Sequence, residues 1–144
     1  MMNYASSLIK KMLPVLRNDT FYEGMELVAA YESDIKPYPV EHPIIAFAVD
    51  SQTVGERLVD VAADGTQTQS KRREVETTYK VSIFVPYESG AQSAYRIADY
   101  LHGYLLFRTE LSIVGSKYAD CNYVRDCGAL VLHTAFTQRM VCDS

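Results

Sequence analysis

Residues 73–107 read REVETTYKVSIFVPYESGAQSAYRIADYLHGYLLF, and this stretch decides the fold. Val75, Thr77, Tyr79, Val81, Ile83 and Val85 alternate with Glu74, Glu76, Thr78, Lys80 and Ser82, and Phe84 is the exception on the polar side. A period of two predicts a half-buried strand, because successive side chains leave opposite faces of a sheet. Pro86 lacks a backbone donor and restricts the residue before it, so the ladder should stop there. Ser89 is placed to cap a helix. Ala94, Ile97, Ala98, Leu101, Tyr104 and Leu105 then recur at helical spacing, which predicts a long amphipathic helix lying back on the same sheet.

Working outward, Tyr4, Leu8, Met12, Val15 and Leu16 predict an N-terminal helix of about a dozen residues, with Pro14 bending its last turn. Met25–Tyr31 is short and alternating and reads as a strand. Ser33–Pro43 is an extended arm pinned by Pro37, Pro39 and Pro43. Ile44–Val49 is a continuous apolar run, the pattern of a strand covered on both faces. Asp50-Ser51-Gln52 reads as a turn or bulge, and Thr53–Val61 as a partner strand with Val54, Leu58 and Val61 apolar. Ala62–Ser70 contains almost nothing to bury and reads as a mobile loop or long hairpin tip.

Beyond the central helix, Leu111–Val114 begins a strand that Tyr118–Val124 continues or pairs with. Asp126 and Gly128 supply turn chemistry. Ala129–Val141 forms a last long strand, with Leu130, Leu132, Phe136 and Met140 on one face. The sum is one α+β domain over residues 1–144: mostly antiparallel sheet, an N-terminal helix, and one long helix packed on the sheet.

Composition narrows the function. Of 144 residues 48% are apolar and 22% charged, the balance of a globular domain. Eleven tyrosines without a tryptophan suit positions packed at one end and wet at the other, subunit interfaces included. The net charge of −4 argues against a nucleic-acid grip, which needs a basic stripe. Only Lys71-Arg72-Arg73 is clustered, and Glu74 and Glu76 follow at once. Three cysteines make no disulfide framework and read as reduced thiols of a cytosolic product. No apolar run is long enough to span a bilayer, and Lys10 and Lys11 interrupt the N-terminal pattern, unlike a secretory signal.

Candidate chemistry is thin. Cys121 and Cys127 with His133 could be drawn together as a small metal site or a Cys–His pair, but their spacing matches no established ligand motif. Glu74/Glu76 and Asp120/Asp126 read as solvated pairs rather than acid–base dyads. No phosphate loop, nucleophile elbow or dinucleotide fingerprint occurs. The expectation is a protein that is not an enzyme and carries no cofactor or metal.

Two short patterns carry a resemblance: Lys36-Pro37-Tyr38-Pro39-Val40 leading to Pro43-Ile44-Ile45-Ala46, and Val81-Ser82-Ile83-Phe84-Val85-Pro86-Tyr87 leading through Ser89-Gly90 to a tyrosine-containing helix. With the order of elements, the chain resembles the small tail terminator proteins of bacteriophage tails and related contractile particles. The resemblance implies a structural virion protein that forms a ring, commonly a homohexamer, on the head-proximal end of the tail tube. Such a ring ends tube growth and joins the tail to neck or sheath, so the implied partners are other copies of the chain, the tail tube protein, and sheath and neck proteins. DNA would pass through an acidic lumen as cargo, and no membrane is involved. The location implied is the virion tail, after synthesis in the bacterial cytoplasm.

On this reading Asp64, Gly65, Thr66 and Gln67, flanked by Lys71, Arg72 and Arg73, are the expected subunit or tube contact. Leu130, Leu132, Thr134 and Phe136 of the last strand are expected to pair edge-to-edge with a neighbour's sheet. A head–tail joining or tail-tube protein would share this layout. A small Cys/His metal-binding protein or enzyme is the alternative of another class.

Overall fold

The computed structural model describes residues 4–29 and 40–142, with side chains from Leu8 onward. Most of the proline-rich arm (residues 33–39) and Tyr31 lie outside the described residues. The described elements are α1 (Tyr4–Arg17), β1 (Glu26–Ala29), β2 (Ile44–Val61), β3 (Gln67–Pro86), α2 (Ala91–Phe107), β4 (Ile113–Val124) and β5 (Ala129–Cys142). The five strands form one mixed sheet in the order β1-β2-β3-β5-β4. β1 pairs with β2 in parallel, and the other neighbours are antiparallel.

The alternation of β3 becomes its two faces. Val75, Tyr79, Val81, Ile83 and Val85 are fully buried and Thr77 nearly so. Both helices cover this side. Ile9, Met12, Leu13 and Leu16 of α1 and Ala94, Ile97, Ala98, Leu101 and Leu105 of α2 meet Leu27, Ile45, Phe47, Leu132 and Phe136 in one core. Val15, expected on the apolar stripe of α1, is 55% exposed. The buried positions of α1 run through Leu13 instead, which shares a face with Ile9 and Leu16 at helical spacing. Helix α2 has 17 residues, about 25 Å of rise, against 20 residues in β3, about 66 Å of strand. The sheet therefore outruns its helical cover.

Phe84 broke the alternation for a reason. On the opposite side of the sheet it packs against a small second cluster of Val40, Ile44, Cys127 and Ala129. The N–H of Val40 also donates to the Cys127 carbonyl at 2.7 Å, so the end of the arm is stitched over this patch.

Several expected boundaries move. Thr53–Val61 is not a separate partner strand but the second half of β2, and Asp50 sits at a bulge, the register slipping between Val49 and Ser51. Of the two readings of Ala62–Ser70 the hairpin tip holds, but it is shorter than expected: it spans residues 62–66, and β3 already begins at Gln67. The turn is closed by Ala62 N–H donating to the Thr66 carbonyl at 2.8 Å and by Gly65 N–H donating to Ala62 at 2.9 Å. Ser89 does not cap α2. It ends a short 3-10 turn, and the N-cap is Gly90, with φ 80° and ψ 161°. That region is open essentially to glycine alone, so Gly90→Ala should destabilise the fold by about 1–3 kcal/mol in urea unfolding. A change below about 0.5 kcal/mol would mean that the corner relaxes freely.

One buried polar group ties α2 to the two strands beneath it. His102 is 3% exposed. Its Nε2 lies 2.9 Å from Thr134 Oγ1, and its Nδ1 lies 2.6 Å from Ser116 Oγ. The Thr134 hydroxyl donates its single proton to the Val81 carbonyl at 3.2 Å, so it accepts from Nε2–H. Nδ1 is then the acceptor of the Ser116 hydroxyl, and the ring is neutral. Burial pushes the His102 pKa down to about 4, against a weaker upward pull from Asp99.

Candidate assembly surface

The site expected at Asp64–Gln67 and Lys71–Arg73 lies on one structural feature, a two-stranded ribbon. Among the described residues β1 pairs as far as Ala29↔Phe47 and β5 as far as Cys142↔Arg73. Beyond that level β2 and β3 alone continue among the described residues, paired to each other through Val59↔Gln69, Asp60↔Thr68 and Val61↔Gln67. From Arg73 to Gln67 the ribbon is about 20 Å long. An isolated pair of strands is marginal in water, so local contacts are needed to hold it.

Those contacts are present. Arg72 Nη2 meets Asp60 Oδ1 at 2.6 Å across the ribbon, and its Nε donates to Ser70 Oγ at 3.1 Å. Arg73 Nη1 donates to the Gly55 carbonyl at 3.0 Å. At the tip, Asp64 accepts from the Thr66 N–H at 2.9 Å. Hydrogen bonds from the Thr66 hydroxyl and backbone hold the Asp64 carboxyl below its ordinary pKa. Gly65 takes φ 88° there, which suits glycine.

The ribbon is not a regular ladder. Between Val54 and Arg57 the register gives β2 two residues, Gly55 and Glu56, against Glu74 alone; between Arg57 and Val59 it gives β3 three, Ser70 to Arg72, against Leu58. Bulges of this kind re-aim side chains and prevent an edge from templating an endless sheet. The first bulge opens a cleft of about 300 Å³ lined by Gly55, Glu56, Leu58, Glu74 and Glu76 among others. Outside it, Val54, Val59 and Val61 are 43%, 54% and 65% exposed. In the sequence Val54 and Val61 read as apolar positions of a strand, and no local pattern distinguishes Glu56. The signal available was strand length, since a hairpin of 18 and 20 residues cannot be covered by one 17-residue helix.

The second expected contact is corrected. β5 is not an edge strand: it lies between β3 and β4. Leu130, Leu132, Thr134 and Phe136 face Val85, Ile83, Val81 and Tyr79 on one side. Leu130, Leu132, Thr134 and Phe136 face Tyr123, Cys121, Tyr118 and Ser116 on the other. Their backbone groups are already paired within the chain, and Leu132, Thr134 and Phe136 are buried. The sheet edges are β1, where Arg17 Nη2 donates to the Leu27 carbonyl at 2.6 Å, and β4, which is broken by register shifts of its own.

The alternative chemistry is not assembled either. Cys121 packs against the helix-side core, whereas Cys127 lies in the cluster on the opposite side of the sheet. His133 bonds to Ser82 at 3.3 Å. Among the described residues no group of three or more His, Cys, Asp or Glu side chains is arranged to hold a metal, and no helix is long and apolar enough to cross a membrane. Glu74 and Glu76 both reach Arg139, at 2.6 and 3.5 Å. No protein-family model matches the chain, and no curated protein is significantly similar to it.

Proposed function

We propose that this chain is a ring-forming structural subunit of a phage tail or phage-tail-like particle, in which the ring caps the head-proximal end of the tail tube, stops its polymerisation and joins it to neck or sheath. The observation that supports this most is the bulged ribbon, which carries exposed valines and clustered charge and reaches about 20 Å beyond the last residue of β5. An assembly subunit needs a contact arm held at a fixed distance from its body. A ring needs that arm to meet a different surface of the next copy, head to tail. Interrupted edges favour a component that closes and ends growth over one that adds strands without limit.

The test is native mass spectrometry over a concentration series, alone and with the tail tube protein. A discrete ring, hexameric by expectation, in either condition supports the reading. Stacking of the chain into tubes by itself would transfer it to the tube proteins. A strict monomer in both conditions overturns it.

A further inference from the structure

We propose that the cleft at the root of the ribbon is the socket for Lys71 of a second copy of this chain. The proposal rests on the ring reading and specifies which surfaces meet in it. Three observations carry it.

First, the two halves of the contact are left open within one chain. Glu56 and Lys71 are both exposed, and neither side chain has a hydrogen-bond or ion-pair partner among the described residues. The neighbouring charges Arg72, Glu74 and Glu76 are all paired internally. Second, the cleft suits a lysine. Its wall includes half-buried Leu58, its rim carries Glu56 beside Glu74 and Glu76, which Arg139 engages, and Arg57 is the one cation among the described residues that line it. A lysine lays an aliphatic stem along apolar surface while its ammonium seeks carboxylates. Third, both partners are products of bulges: the cleft forms where β2 has the extra residue, and Lys71 stands where β3 has two. The ribbon is thereby shaped for side-chain docking and not for continuous edge pairing.

Lys71 lies three positions from Glu74 along the same strand, about 10 Å. A neighbour displaced by that distance along the ribbon sets its Lys71 at the level of the cleft. Each copy then offers a lysine and a cleft at different levels of the ribbon, a heterologous contact that can close into a ring.

The experiment compares the wild type, Lys71→Glu, Glu56→Lys and the exchanged double variant by native mass spectrometry, with thermal melts confirming that each folds. Carbodiimide cross-linking of the oligomer band, mapped by peptide mass spectrometry, supplies a readout that needs no substitution. Each single reversal should weaken association by about tenfold or more, and the double variant should recover it. A Lys71–Glu56, Lys71–Glu74 or Lys71–Glu76 link should appear in the oligomer and not in the monomer. Rings that form equally well in both single variants, without such a link, overturn the socket and leave the ring reading standing. A wild type that never associates, with or without the tube protein, overturns both.

Discussion

Phe136→Ala should destabilise the protein by about 3–5 kcal/mol, enough to remove a large part of the total of about 5–15 kcal/mol expected for a domain of this kind. Phe136 is 1% exposed and stacks on Tyr79 with ring centroids 4.9 Å apart and 19° between planes. It also meets the edge of His102 at 6.2 Å. Truncation would remove the aromatic contact and leave a cavity walled by β3 and α2, where main-chain ladders on both sides of β5 resist collapse. Equilibrium urea unfolding gives the value. A loss below about 1 kcal/mol would show that Phe136 is not packed in the core and would revive its role at an exposed edge.

The second large effect is a response to acid. The neutral form of His102 is favoured in the fold because the ring is buried and its pKa lies near 4, against 6.5 in the unfolded chain. A depressed histidine leaves stability intact above pH 6.5. Below that value the unfolded state takes up the proton first, and stability declines until the folded state also protonates near pH 4. Over this window the loss is about 3 kcal/mol. Protonating Nδ1 also removes the acceptor of the Ser116 hydroxyl, while Asp99, bonded to Tyr118 at 2.7 Å, only partly compensates the new charge. His102→Gln should flatten the stability profile between pH 6.5 and 4, since an amide keeps one donor and one acceptor without titrating. The lowered carboxyl of Asp19, which accepts from Tyr100 and Phe21, acts in a separate window below the ordinary aspartate value of 3.8. A wild-type profile already flat between pH 6.5 and 4 would show that the ring is solvated.

How much of this was legible in the sequence depends on what a pattern encodes. The alternation of β3 named its buried face, because period and face are the same information. Burial of Ala94, Ile97, Ala98, Leu101 and Leu105 in α2 followed for the same reason. Alternation says nothing about which strand lies alongside, so β5 could be read as a strand but not as an interior one. The Ser89 hydroxyl suits a cap, yet the sharp corner requires the positive φ of Gly90. The ribbon was hidden because Val54, Leu58 and Val61 look like core residues wherever the register is unknown. Their exposure depends on two bulges, and bulges come from cross-strand pairing that no local window contains. Lys71 and the tip residues Asp64 and Gly65 were singled out, but Glu56, the other half of the proposed contact, lies on the strand opposite them.

The position of β5 also sets the order in which the chain can fold. The β2–β3 hairpin joins neighbouring segments and can form in microseconds. β3 and β5 pair residues as far apart in sequence as Arg73 and Cys142, with α2 and β4 in between. β5, which follows both of its neighbours in the chain, must therefore enter between two strands already made. Until it does, β3 keeps 14 positions that await a partner along one side, and the apolar underside of α2 has only part of its platform. Such long-range closure is slow and leaves a nascent species prone to aggregation. Conditions that delay β5 relative to β3, such as a stalled ribosome or fast overexpression, should send more of this protein into inclusion bodies than its equilibrium stability alone would suggest.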